Sequence, residues 1–166
     1  MLTSKTILFL AIASASNVAL AAQGADSPSP KTFVEKAAQA GMAEVELGKV
    51  ALEKSQNPEV RSFAQRMVAD HGKANRELAT LAKEKGIDAP KKLDAEHQAM
   101  VKNLEAKDGA SFDSEYSRHM NMDHSKAISL FEAASNSSDK DLAGFAKKTL
   151  PTLKEHKQLA AKLPGQ

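Results

Sequence analysis

Four long stretches of the chain carry apolar residues at helical spacing, and this pattern restricts the fold more than any other feature of the sequence. In each stretch the apolar side chains recur every three or four residues, which places them on one face of an α-helix. The stretches cover residues 32–54, 58–86, 111–134 and 138–163. No segment has the residue pattern of a strand, so the sequence predicts an all-α protein.

The connections between these stretches predict how the helices are arranged. The first two stretches, and the last two, are separated by only a few polar residues. The second and third are separated by a loop with Pro90 and a short predicted helix, Asp94 to Lys107. Two short loops around one long connection are typical of a ferritin-like four-helix bundle with a short extra helix between helices two and three. A plain up-and-down bundle is the alternative.

Capping residues set the predicted helix boundaries. Thr32 with Glu35 forms a capping box for helix one, and Asn57 followed by Pro58 begins helix two. Ser111 begins helix three, and Ser138 caps helix four.

The N-terminal residues have the pattern of a secretory signal peptide. Lys5 precedes the apolar residues 7–15, and Ala19 and Ala21 form a small-residue cleavage site. We therefore expect a signal peptide over 1–21, a flexible leader over 22–31 and a ferritin-like helical bundle domain over 32–164. Cleavage after Ala22 and an uncleaved anchor are the alternatives. The predicted location is the periplasm or the exterior of the cell.

Composition excludes several classes of function. Removing Lys5 from the 23 basic residues leaves 22 against 21 acidic ones, so the mature chain has no basic excess for nucleic acid. The mature chain has no apolar run long enough for a transmembrane segment. The absence of cysteine excludes disulfides, thiol chemistry and a lipid anchor. Partners are not predicted, and a homodimer is left open.

Each long helix carries a polar side chain that can bind a metal on or beside its apolar face. These side chains are Glu44, His71, the neighbouring pair Asp123 and His124, and His156. The first three positions lie near the midpoints of their helices, so we expect them to meet at one level of the bundle. The helical projection puts Asp123 near the middle of its face and His124 at the edge, and leaves open which of the two faces the core.

Buried carboxylates and imidazoles need partners, and this requirement leaves two interpretations open. In one, the side chains form a hydrogen-bonded polar layer, and the protein is an envelope or stress-related interaction module without a metal. In the other, Glu44, His71, His124 and His156 bind a transition metal such as iron, zinc, manganese or copper. Asp70 and Asp123 would then orient the ligands or replace them, as would His119.

Motifs for catalysis are absent from the sequence. No helix has the Glu-x-x-His pair of di-iron bundle enzymes, and there is neither a Gly-x-Ser-x-Gly turn nor a phosphate-binding loop. An enzyme is therefore the less favoured reading of the chain.

Several of these motifs together resemble one bacterial family, catalogued as domain of unknown function 4142. The resemblance runs from Thr32 to Leu163. It rests on Phe33-Val34 with Gly41 and Glu44, Phe63-Ala64 with Met67 to His71, Phe112-Asp113 with Tyr116, His124 with Leu130-Phe131, and Leu150-Pro151 with Leu153 and His156.

The resemblance implies a ferritin-like helical bundle and export, and no particular activity. It marks Glu44, Asp70, His71, His124 and His156 as the polar positions of the family. Members are often labelled outer-membrane proteins, but this sequence lacks the alternating strands of a barrel, so we expect any association with the envelope to be peripheral.

Overall fold

The computed structural model describes residues 27–165, and these fold into five α-helices. They are α1 (Pro30–Lys54), α2 (Pro58–Glu84), α3 (Ala95–Glu105), α4 (Gly109–Ala134) and α5 (Lys140–Ala160). No strand occurs in this part of the chain. The predicted all-α bundle with a short helix between its second and third long helices is confirmed. The predicted signal peptide, 1–21, and residues 22–26 of the predicted leader lie outside the described residues.

Side-chain caps explain where three of the long helices begin. Ser29 accepts a hydrogen bond from the Thr32 amide and precedes Pro30, so α1 begins two residues before the predicted capping box. Asn57 accepts hydrogen bonds from two amides at the start of α2, as predicted. Asp139 caps α5 in the same way, so the predicted cap at Ser138 is wrong by one residue.

Two further helix limits differ from the prediction. Helix α4 begins at Gly109, two residues before Ser111, because its first turn already forms at the end of the loop, where the Phe112 amide donates to the Asp108 carbonyl. Helix α5 ends at Ala160, where the chain tightens into turns before Pro164.

Two apolar clusters, one at each end of the bundle, show the direction of each long helix. The first cluster contains Leu47, Val50, Val60, Phe63, Met67, Phe112, Tyr116, Met120 and Leu163. The second contains Phe33, Val34, Leu78, Ala82, Phe131, Ala134, Leu142 and Phe145. The C-terminal ends of α1 and α5 therefore meet the N-terminal ends of α2 and α4. Because α2 and α4 run in the same direction, α3 lies in a crossover, and the plain up-and-down alternative is wrong.

Between the two clusters lies a layer of buried polar side chains. Glu44, His71, His124 and His156 are each less than 9% exposed, and each falls between residues of the first and second cluster along its own helix. The predicted meeting of polar residues at one level is therefore observed.

Helix α1 packs closely against α2 above and below this layer. A Cβ atom at Gly48 would lie 2.9 Å from the Val68 side chain and 3.2 Å from the Ala64 carbonyl oxygen, and one at Gly41 would clash with Asn75. Glycine at both positions allows this approach. Among residues 27–165, no helix combines the length and the apolar character needed to cross a membrane.

Candidate metal centre

Three imidazole rings meet in the middle of the bundle. His71 comes from α2, His124 from α4 and His156 from α5, and their ring centroids are 5.4, 5.3 and 5.4 Å apart. One nitrogen atom from each ring lies within 4.8 Å of one nitrogen from each of the others. Phe63 packs edge-on against the rings of His124 and His156 from the side of the first apolar cluster. The structure thus brings three of the predicted metal ligands together.

Hydrogen bonds fix the tautomer of two of these rings. His124 donates from Nδ1 to the carbonyl oxygen of Met120, 2.8 Å away, and His156 donates from Nε2 to the Asp70 carboxylate, 2.9 Å away. Both partners are acceptors, so each of these ring nitrogens carries the proton. The opposite nitrogens, His124 Nε2 and His156 Nδ1, therefore carry lone pairs.

One nitrogen of each ring is buried without a hydrogen bond. His71 Nε2, His124 Nε2 and His156 Nδ1 have no hydrogen-bond partner among the described residues. A ring held by a hydrogen bond on one nitrogen, with the lone pair of the other directed inward, is the arrangement found around metal-binding histidines.

Burial keeps the three imidazoles neutral at pH 7. It lowers the pKa of His71 well below its ordinary value, with His124 and His156 adding to the effect. Burial also lowers the pKa of His124 to about 4. For His156 burial again lowers the pKa, although the hydrogen bond that it donates to Asp70 acts in the opposite direction. Metals bind the neutral imidazole, so the rings are in the protonation state that a metal requires.

The separation of the three nitrogens suits a single ion after a small adjustment. Nitrogen ligands lie about 2.0–2.1 Å from zinc, so tetrahedral geometry would place two of them roughly 3.3 Å apart. Closing the cluster from its present span requires side-chain movements of roughly 1 to 1.5 Å, which rotation about the side-chain bonds can supply.

Glu44, the fourth predicted ligand, lies beside this cluster. Its Oε1 atom is 3.7 Å from His124 Nδ1, the nitrogen on the outer side of that ring, and its Oε2 atom has no hydrogen-bond partner among the described residues. Burial raises the pKa of its carboxyl group well above the ordinary value, and the charge of Asp123 raises it further. Glu44 is therefore next to the three nitrogens and outside the set that they form.

Of the alternative ligands, Asp70 contacts the cluster, whereas Asp123 and His119 do not. Asp70 bonds His156 on a different helix and not its neighbour His71. The Asp123 side chain is 16% exposed and lies 3.6 Å from the Lys126 ammonium group. His119 Nε2 is 3.2 Å from a carboxylate oxygen of Glu115.

The structure also settles which residue of the Asp123 and His124 pair faces the core. His124 is fully buried, whereas the helical projection placed Asp123 nearer the middle of the face. Four of the buried residues of α4 follow a spacing of four, from Phe112 through Tyr116 and Met120 to His124. The projection assumed a spacing closer to 3.6 residues and so favoured Asp123.

Tyr116 follows the apolar pattern of α4, but it also brings a polar hydroxyl group into the core. Its hydroxyl is buried without a hydrogen-bond partner among the described residues. Burial raises the pKa of this hydroxyl well above the ordinary value, and the nearby Glu44 carboxylate raises it further. A tyrosine on an apolar face is the only signal that the sequence offers for such a group.

Comparison with known proteins gives a family and a set of related folds. The sequence model of the family described as "Domain of unknown function (DUF4142)" matches residues 15–163, which confirms the resemblance based on motifs. No curated protein sequence matches the chain.

Several solved structures have the same fold at low sequence identity. A crystal structure of a DUF305 fragment from Deinococcus radiodurans superposes with a TM-score of 0.71 at 17% identity, over 82% of this chain and 95% of that chain. CopM in the Cu(I)-bound form gives a TM-score of 0.68 at 16% identity, over 81% of this chain and 94% of that one. CopM in the Cu(II)-bound form gives 0.67 at 16% identity, over 80% and 93%. These matches show a shared helical-bundle fold.

Proposed function

The chain belongs to the family described as domain of unknown function 4142, and we propose that it is a metal-binding protein that holds one transition-metal ion in the bundle core. The ligands are His71 Nε2, His124 Nε2 and His156 Nδ1. The observation that carries the proposal is the convergence of the three buried rings: one nitrogen of each lies within 4.8 Å of one nitrogen of each of the others, and each ring has one buried nitrogen without a hydrogen-bond partner among residues 27–165. Binding, and not catalysis, is the proposed activity.

Hydrogen bonding among the three rings cannot satisfy all of their nitrogens. His124 and His156 both present lone pairs, because their protons are held by Met120 and Asp70. If His71 carries its proton on Nε2, it can donate to only one of them. If His71 carries its proton on Nδ1, three lone pairs face one another, and one water molecule supplies only two hydrogens. A metal ion, in contrast, accepts all three lone pairs, which favours it over the polar-layer alternative.

The donor set limits the choice of metal. Neutral imidazole suits zinc, copper and iron, whereas manganese prefers oxygen ligands. The solved structures of CopM with Cu(I) and Cu(II) are bundles of the same fold with a bound transition metal. Copper and zinc are therefore the first ions to test, with Glu44 or water near the open coordination position.

The proposed location is outside the cytoplasm. It rests on the signal peptide predicted over 1–21, after which the leader over 22–31 and the bundle domain over 32–164 would form the mature protein.

Within the proposed site, Asp70 would hold His156 in the tautomer that leaves Nδ1 free to bind the metal.

The test is the metal content of the protein after purification without chelator and incubation with Cu²⁺ or Zn²⁺. Elemental analysis by mass spectrometry should find one metal ion per chain in the wild type. The double variant His71→Ala/His156→Ala should contain none, because one remaining imidazole does not hold the ion. The expected loss is from about one ion per chain to less than 0.1, given the low affinity of single imidazoles for these metals.

The chain supplies a matched control. His97 and His119 are the two other histidines, and both lie outside the cluster. The variant His97→Ala/His119→Ala should keep one ion per chain. Equal metal content in the two double variants would overturn the proposed site. A folded wild type that takes up neither ion would overturn metal binding and favour the interaction module with a polar core layer.

A further inference from the structure

A large groove on one side of the bundle ends at the polar layer. It has a volume of about 900 Å³ and lies between α1, α3 and α4. Its lining includes the carboxylates of Glu35, Asp94, Glu96 and Asp123, and Glu44 forms part of its floor. Glu44 is only 4% exposed, and its Oε2 atom has no hydrogen-bond partner among the described residues. The groove therefore reaches a residue whose carboxyl group is buried and has an oxygen without a partner in this part of the chain.

Glu44 also lines a second, much smaller cavity on the inner side. This inner cavity has a volume of about 30 Å³ and is lined by His71 as well. Ala40, Glu44 and Ala127 border both spaces, so two small side chains and one carboxylate separate the groove from the inner cavity. A cavity of this size holds one or two water molecules, and so it is large enough for a small cation.

The charge of the groove favours cations. Four carboxylates besides Glu44 line it, against the ammonium groups of Lys36 and Lys126. The groove on the other side of α1 has the opposite balance, with Lys91, Lys92 and Lys102 against two glutamates. The depression between α2 and α5 has equal numbers of acidic and basic residues. Of these three surface spaces, the groove that reaches Glu44 is the acidic one, and such a surface raises the local concentration of cations.

We infer that a metal ion reaches the imidazole cluster through the groove between α1, α3 and α4, and that Glu44 and Asp123 bind it transiently on the way. The inference rests on the proposed metal-binding function. Asp123 and Glu44 line the same groove, so an ion that enters it meets both carboxyl groups before it reaches the polar layer. From Glu44 the ion passes to His71 across the inner cavity and then to all three nitrogens.

The first test measures the rate of metal uptake. Wild-type protein freed of metal is mixed with Cu²⁺ in a stopped-flow instrument, and binding is followed by the absorption of the copper–imidazole complex. Glu44→Gln and Asp123→Asn should each slow association, by about tenfold or more for Glu44→Gln. Dissociation into a chelator should slow by a similar factor, because a carboxylate on the route assists passage in both directions.

The matched control for charge is Glu46→Gln. Glu46 lies on the same helix two residues from Glu44, but it lines the neighbouring basic groove. This variant should bind Cu²⁺ within twofold of the wild-type rate. Equal slowing in Glu46→Gln and Glu44→Gln would assign the effect to general attraction by the surface and would overturn the route.

A second test blocks the groove without changing its carboxylates. The chain has no cysteine, so Ser129→Cys introduces a single thiol in the lining of the groove. Ser62→Cys does the same in the depression between α2 and α5 on the opposite side of the bundle. Both variants are labelled with a bulky maleimide. Labelled Ser129→Cys should take up Cu²⁺ at least tenfold more slowly than unlabelled protein, and labelled Ser62→Cys at an unchanged rate.

The outcomes separate the route from the site. Uptake of one Cu²⁺ per chain at the wild-type rate in labelled Ser129→Cys would overturn the route and leave the site in place. Slowing by the label on Ser62→Cys alone would move the route to the side of Asp70. If the wild type binds neither Cu²⁺ nor Zn²⁺ at any time, the proposed function is overturned, and the route with it.

Discussion

The bundle contains two clusters of three rings that are similar in shape and opposite in chemistry. Phe33, Phe131 and Phe145 have centroids 5.1, 5.9 and 6.3 Å apart, and the three imidazoles have centroids 5.3 to 5.4 Å apart. On α4 the two clusters are two helical turns apart, at Phe131 and His124. The same bundle thus packs rings at two levels of its core.

The comparison shows which cluster can be explained by folding alone. Phenylalanine rings gain free energy from burial and from edge-to-face contact, and they have no polar atoms that need partners. The imidazoles lie as close to one another, but their burial leaves three nitrogens without hydrogen bonds among the described residues. Unpaired buried polar groups cost about 1–3 kcal/mol each. The phenylalanine cluster therefore stabilises the fold, whereas the imidazole cluster reduces the stability of the metal-free protein.

The largest expected loss of stability comes from removing a ring of the phenylalanine cluster. Phe131 is 7% exposed and contacts both other rings of its cluster. Phe131→Ala should lower the free energy of unfolding by about 3–5 kcal/mol, because it removes a buried ring and leaves a cavity. Urea unfolding of the metal-free protein measures this loss. A loss below about 1.5 kcal/mol would show that the cluster is not the main support of its end of the bundle.

Acidification should lower the free energy of unfolding mainly through the imidazole cluster. The pKa of His124 is lowered from 6.5 to about 4 in the folded protein, so between these pH values the unfolded chain binds the proton more readily. The stability present above pH 6.5 is therefore lost as the pH falls toward 4, by about 3 kcal/mol from His124 alone. Urea unfolding of the metal-free protein at pH 7.5 and pH 4.5 measures the difference.

Glu44 acts in the opposite direction and supplies a control. Its pKa is raised in the folded protein, so its contribution to stability decreases as the pH rises above 4.5. In Glu44→Gln this opposing contribution is absent, and the loss of stability on acidification should be larger than in the wild type. A smaller loss in Glu44→Gln would contradict the raised pKa of Glu44.

The sequence predicted the helices better than the contacts between them. The spacing of apolar residues and the Asn57-Pro58 cap belong to single helices, so they can be recognised along the chain. The hydrogen bond from His156 to Asp70 joins residues that are 86 positions apart in the chain, and no local pattern encodes it. The choice between Asp123 and His124 depends on a rotation of α4 that only its packing determines. The predicted level of the polar residues was correct, because the midpoints of antiparallel helices of similar length coincide.

The smallest expected effect on stability comes from replacing one imidazole with an apolar side chain. His71→Leu introduces a side chain of similar volume and removes Nε2, which has no hydrogen-bond partner among residues 27–165. The metal-free variant should be as stable as the wild type or more stable by about 1 kcal/mol, because replacing an unsatisfied buried polar group by an apolar one removes a desolvation cost.

Addition of Cu²⁺ or Zn²⁺ should then reverse the order. Wild-type protein gains stability from an ion that binds only the folded state, by about 2.7 kcal/mol at a free concentration one hundred times the dissociation constant. His71→Leu has two imidazoles left and should gain little. Urea unfolding of both proteins, with and without the ion, measures the four free energies of unfolding. If metal-free His71→Leu loses more than about 2 kcal/mol, the imidazole cluster stabilises the fold by itself, as the phenylalanine cluster does, and its chemistry no longer requires a metal.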